Sequence, residues 1–556
     1  MRFDLPSRLT RQNLGSRLLS AARFPICHSY AKTILTCMLL VNAPLAHSAD
    51  NTAPKQTPPD SPLVEKVATP APATPKAKPK KQRFSHDTVI ELAKLLSESP
   101  YQAAEKAPKA LLDLGHMTYS KIDYQADAAI WGDSRTPFNV QLFAPGFIYE
   151  NLVDIDVVEY GKSIPVELNE TSFNTPSADI SSLLTKVAKY AGIRLHYPIN
   201  TADTRDEFIL FQGASYFKLR SKGQEYGLSN RGLAIDVAQP QGEEYPLFKQ
   251  FWVERPSVTQ TAIVVHGLLD SERVTGAYRF GIYPGDPSRM EVNVTLFPRQ
   301  DVAHVGFAPL NSMFMYNALV PADNWSFRPA IHNSEGLQID KGNGERLWRP
   351  LNNPERLQIS AFADNNLKGF GLVQRHRAFE DYQDLQENYQ QKPTMWVKPL
   401  NDWGKGQVVL VEIPSKSKTN DNIIAYWEPQ GGLKQGQPYQ FSYQITASQD
   451  SPSQVFNARV VRSAKGPEQH KGKQVLIDIS NIDNSDVMQL RADASSSRGK
   501  ILSTRVIPNP HIDGVRVVLN FDPQDNDVTE LRLQLKQDDK PVAATWLYRW
   551  NSDDWP

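Results

Sequence analysis

The chain has 556 residues, with 61 Lys and Arg against 61 Asp and Glu, a formal net charge of +0 and an apolar fraction of 40%. This length supports more than one packed core, and two domains are expected. The balanced charge argues against a nucleic-acid partner, because such binders carry a surplus of Lys and Arg to displace counterions. A neutral ligand fits the composition better.

The first 49 residues are predicted to be an export signal that is absent from the mature protein. A short apolar run from Ala31 to Leu45 follows several basic residues and precedes Ala46-His47-Ser48-Ala49, the order found in signal peptides. The run is too short for a spanning helix, and no later segment reaches roughly 18 apolar residues. We therefore expect no transmembrane segment in the mature protein. Because Cys27 and Cys37 both precede residue 50, no disulfide and no cysteine-ligated metal is expected.

Residues 50–83 are rich in Pro, Ala, Thr and Lys and cannot bury enough apolar surface to offset chain entropy. They are predicted to form a disordered linker. Order is expected from Ser85, a suitable N-cap for a helix whose apolar positions from Val89 to Leu96 follow the i, i+3, i+4, i+7 spacing. A second helix is predicted from Ser182, with Gly192 ending it.

Most of the remaining chain alternates apolar and polar residues, as antiparallel strands do. Residues 278–282 and 292–296 are clear examples, and 41 Pro and 30 Gly in the chain supply breaks between such runs. The pattern predicts an all-β fold. A break at 428–436 separates a large β-sandwich domain, 84–430, from a smaller one, 436–556. About seven short strands favour an immunoglobulin-like sandwich for the smaller domain.

The sequence lacks the phosphate-binding loop, the H-E-x-x-H zinc pair, the G-x-S-x-G nucleophile elbow and the dinucleotide fingerprint. Its distinctive feature is a set of Trp residues interleaved with Arg and Asp between Trp325 and Trp427. Sugars present apolar C–H faces bounded by hydroxyls, so a sugar groove combines flat aromatic rings with bidentate polar groups. Large aromatic residues in a β-domain are more often core residues. Composition alone leaves both interpretations open.

A series of motifs carries a closer resemblance. The series includes Gly213-Ala214-Ser215-Tyr216-Phe217, Arg231-Gly232-Leu233-Ala234-Ile235-Asp236, Trp348-Arg349-Pro350-Leu351-Asn352-Asn353-Pro354 and Asn420-Asp421-Asn422-Ile423. In this order, from about Phe84 to Trp427, the motifs are similar to those of the OpgG/OpgD (MdoG/MdoD) family of periplasmic glucan biosynthesis proteins. The resemblance implies a periplasmic protein with a large galactose-mutarotase-like β-sandwich followed by a small immunoglobulin-like one.

The resemblance also implies work on osmoregulated periplasmic glucans, whose backbone is β-1,2-linked glucose, as an inverting endo-β-1,2-glucanase or a transglycosylase. In an inverting enzyme one carboxylic acid protonates the leaving oxygen and a second carboxylate activates water. The implied acid is Asp421, although an Asp between two Asn can also simply cap a turn. The implied substrate-binding residues are Asp270, His332, Trp348, Arg349, Arg375, Arg377, Tyr382, Asp384, Trp396 and Trp427. No metal or other cofactor is implied, and the partners considered are the glucan and a membrane glucan synthase.

The chain departs from the family pattern at the second carboxylate. The family reads His-Asp-Ser-x-Gly-Leu where this chain has Asn333 in the Asp position, and an amide cannot accept a proton from water at neutral pH. Asn311 stands where Thr is usual, and Lys392 where Arg is usual, which loses a bidentate fork. Two hypotheses therefore stay open: a glucan-cleaving or glucan-rearranging enzyme, and a non-hydrolytic scaffold that binds glucan and controls its backbone structure. A mutarotase-type epimerase is a third hypothesis, on fold analogy alone.

Overall fold

The computed structural model describes residues 83–322, 326–452, 456–466, 472–482 and 484–553. The predicted signal peptide, and the predicted linker up to residue 82, lie outside these residues. Among the residues that the structure describes, no helix is long and apolar enough to cross a membrane. All of the described residues belong to one compact unit of the chain, 44–556.

Short helices contribute little to the described fold. The α-helices are α1 (His86–Ser97), α2 (Lys109–Leu112), α3 (His116–Tyr119) and α4 (Ala178–Val187), and the 3-10 helices are Ala126–Ala128, Phe379–Asp381, Tyr389–Gln391, Asn484–Gln489 and Pro510–Ile512. The helix predicted at Ser85 is confirmed, since the Ser85 N–H donates to Thr88 Oγ1 at 3.2 Å ahead of α1. The second predicted helix is misplaced: α4 is capped by Ser177 and ends at Ala188, which has a left-handed φ of 52°.

Strands dominate the chain, so the predicted all-β class is confirmed. Those before residue 300 are β1 (Asp123–Tyr124), β2 (Asn139–Phe143), β3 (Asp154–Glu159), β4 (Lys162–Pro165), β5 (Phe173–Asn174), β6 (Gly192–Tyr197), β7 (Asp206–Gln212), β8 (Tyr216–Leu219), β9 (Ser229–Arg231), β10 (Leu233–Ile235), β11 (Leu247–Glu254), β12 (Ile263–Asp270), β13 (Val274–Tyr283) and β14 (Ser288–Pro298).

The later strands complete the sheets. They are β15 (Val305–Ser312), β16 (Phe314–Tyr316), β17 (Ile331–His332), β18 (Gly336–Asp340), β19 (Arg346–Pro350), β20 (Gln358–Asn365), β21 (Gly369–Val373), β22 (Thr394–Pro399), β23 (Lys405–Glu412), β24 (Ile423–Pro429), β25 (Tyr439–Ser448), β26 (Arg459–Lys465), β27 (Lys473–Ser480), β28 (Leu490–Ser496), β29 (Lys500–Asn509), β30 (Gly514–Asp522), β31 (Val528–Gln537), β32 (Lys540–Pro541) and β33 (Thr545–Asn551).

Three sheets carry the architecture. Sheet A has the order β2-β6-β7-β8-β9-β15-β24-β23-β20, with β10 paired to β15. Sheet B has the order β28-β31-β33-β19-β18-β21-β22-β25-β14-β13-β12-β11-β3-β4, with β32 paired to β31, and sheet C has the order β26-β27-β30-β29. Two small ribbons, β1-β5 and β16-β17, complete the described strands.

Sheets A and B face each other across one continuous apolar core. Phe211 of sheet A lies 5.0 Å from Phe280 of sheet B, and Phe307 stacks on Phe441 with ring centroids 3.9 Å apart. Alternation along each strand places apolar side chains in this core and their sequence neighbours on the outer face. The large domain is therefore a sandwich of two sheets, each with an inner face in the core and an outer face.

Helix α1 covers part of the outer face of sheet B. Val89 and Ala93 of the helix pack in one buried cluster with Val158, Trp252 and Ala277 of the sheet. The Thr275 hydroxyl donates to the Ala93 carbonyl at 2.7 Å. This contact satisfies a carbonyl of the helix as well as fixing its position.

The C-terminal region forms a second core but shares sheet B with the large domain. Strand β33 pairs in parallel with β19, and Trp348 and Val373 from the large domain belong to the second apolar cluster. Strand β25 falls within the predicted small domain, 436–556, yet it pairs with β14 on one side and β22 on the other. Its alternating apolar residues fill the middle of sheet B, whereas the predicted boundary precedes it.

Candidate functional site

The outer face of sheet A is polar over several adjacent strands. Cross-strand partners share a face of the sheet, and the register pairs Asn139 with His196, His196 with Glu207, Tyr216 with Arg231, and Ser229 with Asn311. The residues that make up this polar face are Asn139, Arg194, His196, Glu207, Tyr216, Lys218, Ser229, Arg231 and Asn311. Their neighbours along each strand point into the core.

Asp421 lies at the edge of the polar face, in the turn that joins β23 to β24. The Ser229 hydroxyl donates to Asp421 Oδ2 at 3.0 Å, so the acid named by the family motif is tied to the floor of the face. Asp421 is partly exposed, as a group that contacts a ligand must be. Burial raises the pKa of the nearby Tyr216, and the charges of Glu243 and Asp421 add to this shift while Arg231 opposes it.

Asn422 fixes the turn that carries Asp421. Its Oδ1 accepts from the Phe314 N–H at 2.9 Å, and its Nδ2 donates to the carbonyls of Phe314 at 3.0 Å and Ile413 at 3.2 Å. Asn353 closes the start of the same turn, since it exchanges hydrogen bonds of 2.8 and 2.9 Å with the backbone of Ser415. The side-chain amides of Asn353 and Asn422 therefore hold the turn that carries Asp421 through hydrogen bonds to backbone groups.

Arg349 supports this turn from below and does not reach the polar face. It donates to Glu412 Oε2 at 3.0 Å, and both side chains are almost fully buried. Glu412 also accepts from the Asn352 N–H at 2.7 Å. Because Glu412 ends β23, this buried ion pair holds the strand end from which the Asp421 turn begins. Arg349 is thus buried in an ion pair with Glu412, and its substrate-binding role stays a prediction.

Asn333, at the proposed base position, is hydrogen-bonded to the segment that carries Ser229. Its Nδ2 donates to the Gly227 carbonyl at 3.4 Å, and its N–H donates to the Met313 carbonyl at 2.8 Å. Gly227 and Ser229 are two residues apart, at most about 7 Å in an extended chain. Asn333 and Asp421 are therefore attached to neighbouring points of one segment, but only one of them is a carboxyl group.

The next carboxylate along the chain is Glu335, and it is occupied elsewhere. Its Oε2 lies 3.0 Å from His376 Nδ1. Burial alone would raise the pKa of Glu335, but the charge and hydrogen bond of His376 hold it below the ordinary value, and the charge of Glu335 raises the pKa of His376. A buried carboxylate paired in this way cannot replace a free base beside Asp421.

His332 and Tyr382 form part of a buried cluster beneath the site. The His332 ring stacks on Phe314 at 5.5 Å and meets Tyr382 edge-on at 5.2 Å. Burial lowers the pKa of His332 to about 4, so the ring is neutral, and its Nδ1 is bonded to Gln374 at 2.9 Å. These two predicted binding residues have no path to a ligand on the polar face.

The three Trp residues predicted as sugar platforms are core residues. Trp427 is 0%, Trp348 2% and Trp396 4% exposed. Trp427 points between the two sheets towards Trp403, and Trp348 lies under the Arg375 guanidinium at 3.4 Å. Since their faces are already covered by protein atoms, they cannot stack on a sugar ring.

The other predicted binding residues also have structural partners. Asp270 is on the outer face of sheet B, where Arg299 donates to it at 2.8 Å. Arg375 donates to the Val460 carbonyl at the junction with the C-terminal core. Asp384 accepts from Arg328 at 2.5 Å and from two backbone N–H groups, and Arg377 donates to the carbonyls of residues 390 and 392.

Several residues of the site were missed from the sequence. Arg231 donates from Nε to Asn311 at 3.0 Å and from Nη1 to Glu243, and its guanidinium lies over the rings of Tyr216 at 5.0 Å and Tyr245 at 5.5 Å. Tyr245 is 48% exposed, so its ring is accessible in a way that the three Trp rings are not. The alternation of residues in 216–218 and 229–231 could have identified the outward-facing positions. It could not have identified Glu243 as the partner of Arg231, because Glu243 lies outside these strands.

Fold and site together define the class: a β-sandwich protein with a polar outer face on one sheet and a partly exposed carboxyl group, Asp421, at the edge of that face. The profile of the family described as "Periplasmic glucan biosynthesis protein, MdoG" matches residues 84–550. The chain therefore belongs to the MdoG family of periplasmic glucan biosynthesis proteins.

Curated relatives cover most of the chain. It is 66% identical to glucans biosynthesis protein G 2 of Shewanella oneidensis over 86% of this chain and 90% of that protein. It is 40% identical to glucans biosynthesis protein G of Shewanella frigidimarina, over 85% of each chain, and 40% identical to that of Vibrio cholerae, over 84% and 87%. Among solved structures, a galactose mutarotase related enzyme from Lactobacillus acidophilus matches with a TM-score of 0.22 and 10% identity, over 47% of this chain and 96% of that one.

Proposed function

We propose that this protein acts in the periplasm, where it binds the β-1,2-linked glucose backbone of osmoregulated periplasmic glucans on the polar face of sheet A. In this proposal it controls the structure of the backbone without hydrolysing it by the two-carboxylate route. One observation carries the proposal. Asp421 is partly exposed, but the position where the second carboxylate is needed holds an amide, Asn333.

The extent of the polar face supports a polymeric ligand. From β2 to β15 the face crosses five strand spacings, which is about 24 Å at the usual separation of hydrogen-bonded strands. Asn139, His196 and Lys218 are partly exposed on it, and their side chains can exchange hydrogen bonds with sugar hydroxyls. Ser229, Arg231 and Asn311 are buried and form its floor. A depression lined by Arg135, Asn139, Asp203 and Arg205 lies at the strand ends where β2 and β7 begin.

The missing base supports binding without hydrolysis. Inversion needs a carboxylate that takes a proton from water while the acid protonates the leaving oxygen. Asn333 cannot accept that proton, and Glu335 is committed to His376. Asp421 can accept a hydrogen bond from a sugar hydroxyl as a carboxylate, and can donate one to a glycosidic oxygen only as the protonated acid.

The alternative is a glucanase or transglycosylase with Asp421 as general acid. The contact between Ser229 and Asp421 at 3.0 Å favours it, because a hydroxyl donor orients the carboxyl group on the face where a glycosidic bond would lie. In a transglycosylase a sugar hydroxyl takes the place of the attacking water. The predicted partnership with a membrane glucan synthase stays a prediction.

The test is to incubate the protein with linear β-1,2-glucan, measure binding by calorimetry and analyse chain length by chromatography. We expect measurable binding and unchanged chain length. Shortened or cyclised chains that disappear in the Asp421→Asn variant would support the enzyme instead. Absence of binding would remove both forms of the proposal.

A further inference from the structure

The side chains of Lys392 and Asn333 converge on successive carbonyl groups. The Lys392 ammonium donates to the Tyr226 carbonyl at 2.9 Å, and the Asn333 amide donates to the Gly227 carbonyl at 3.4 Å. The two donors come from different loops, one before β22 and one before β18. Both carbonyls lie just ahead of β9, the strand that carries Ser229.

We propose that Asn333 and Lys392 act together as positioning residues, a donor pair that clamps the 226–227 backbone and thereby sets Ser229 against Asp421. The effect of the clamp on glucan binding rests on the proposed function. The clamp itself concerns only the chain and can be tested without glucan.

Donor chemistry explains why these two residue types fit. A backbone carbonyl is an acceptor, so its partner must donate, and both an amide and an ammonium can do so. A carboxylate at position 333 offers only acceptors, and would leave the Gly227 carbonyl without this donor or draw the Lys392 ammonium away from Tyr226. In this chain the amide is therefore a structural donor as well as a missing base.

Close packing makes the clamp sensitive to small changes. A Cβ added to Gly227 would come within 3.0 Å of Lys392 Cβ and 3.2 Å of the Pro393 ring. The Glu225 N–H also donates to the Gln391 carbonyl at 3.2 Å. Arg377 secures the other side of this contact, since it donates to the backbone carbonyls of Gln390 and Lys392.

The charges around Lys392 are compatible with its role as a donor. Burial lowers the pKa of Lys392. The negative charges of Glu387 and Glu225 act in the opposite direction and raise this pKa, whereas the positive charge of Lys218 lowers it further. Glu387 is itself paired with Lys418 at 3.1 Å, in the turn that carries Asp421. The clamp thus lies between the polar face and this turn.

The experiment compares two donor-removing variants, Asn333→Asp and Lys392→Met, with Lys392→Arg, which keeps a donor. Hydrogen exchange of the peptide that spans residues 225–230 is measured by mass spectrometry, and the dissociation constant for a β-1,2-glucan oligosaccharide by calorimetry. We expect faster exchange and roughly tenfold weaker binding in the first two variants, with both properties retained in Lys392→Arg.

The control is Asn481→Asp, at an exposed position of the C-terminal region, where the Asn481 amide donates to the Asn457 carbonyl at 3.0 Å. It removes the same kind of donor far from the polar face, so exchange at 225–230 and glucan binding should stay at wild-type values. Unchanged exchange at 225–230 in both Asn333→Asp and Lys392→Met would overturn the clamp. Faster exchange in a protein that never bound glucan would leave the clamp standing and refute the proposed function alone.

Discussion

The strands of sheets A and B share the same alternation of apolar and polar residues, but the outer faces of the two sheets differ in what lies on them. On sheet B, helix α1 buries Val89 and Ala93 against the strands, and charged groups such as Asp270 are neutralised by Arg299. On sheet A, Ser229, Arg231 and Asn311 form a buried polar row, and the partly exposed Asp421 lies at its edge. The comparison teaches that a polar row on an outer face marks a site only where an accessible group, here Asp421, stands at its edge.

The support beneath the polar face should give the largest effect. Glu412→Gln leaves Arg349 buried without its counter-charge, which costs about 3–5 kcal/mol of folding free energy, as urea unfolding would measure. Glu150→Gln breaks an exposed ion pair with Lys106 at 3.0 Å and should cost less than about 1 kcal/mol. Equal losses in the two variants would show that the buried pair is not a special support of the Asp421 turn.

The covered face is tested by Val89→Ala. Val89 is 0% exposed, so removing its methyl groups should lower the free energy of unfolding by about 2 kcal/mol. Glucan affinity should stay at the wild-type value, because α1 lies on the opposite sheet. Leu95→Ala, at a helix position that is 61% exposed, is the control and should change stability by less than about 0.5 kcal/mol. Weaker glucan binding in Val89→Ala alone would break the division between the two faces.

A substitution on the polar face should have the opposite pattern, with weaker glucan binding and little change in stability. Ser229→Ala removes the donor to Asp421, and we expect about 1 kcal/mol weaker glucan binding, or roughly fivefold in the dissociation constant. Calorimetry measures the affinity, and thermal unfolding supplies the comparison of stability. A loss of stability with unchanged affinity would assign Ser229 to the scaffold.

The smallest expected effect is a loss of folding stability at acidic pH that arises from His86, the first residue of helix α1 on the outer face of sheet B. Burial first, and then the charges of His266 and Arg279, lower the pKa of His86 to about 4 from its ordinary 6.5, against Asp87 and Glu254, which raise it. A depressed histidine stabilises the fold above pH 6.5, and this contribution is lost as the pH falls from 6.5 towards 4. After allowance for solvent screening, we expect His86 to account for up to about 1 kcal/mol of the fall in the free energy of unfolding. The His86→Gln variant should lack this part of the fall.

The histidine prediction needs a difference measurement, because burial also lowers the pKa values of His196 and His332 to about 4. Both contribute to the same acid window in wild type and variant alike. Unfolding by urea at pH 7 and pH 5 in the two proteins isolates the share of His86. Parallel loss of stability in both proteins would contradict the assignment.

Much of the fold could be predicted because its signals are local. Alternation marks β13 and β14, and Ser85 marks the start of α1. The place of β25 could not be predicted in this way, since its partners are set by pairing with distant strands and not by its own pattern.

The site was harder to predict because alternation does not say which face is the core. Trp427 points inwards, whereas its neighbour Tyr426 packs on the other side of the sheet with Val409 and Ile424. A shift of one residue in register would exchange them. The motif around Asp421 identified the turn on the polar face, but its aromatic and basic neighbours proved to be the buried framework behind it.

The position of β25 has a practical consequence for dissecting the molecule. A fragment that stopped after β24 would leave β14 and β22 without the strand that joins them, and two rows of backbone amides and carbonyls would face open space. The sequence suggests a domain boundary at 428–436, but the backbone hydrogen bonds of β25 with β14 and β22 connect the two sides of that boundary. We expect the two sandwiches to be expressed, purified and evolved as one piece.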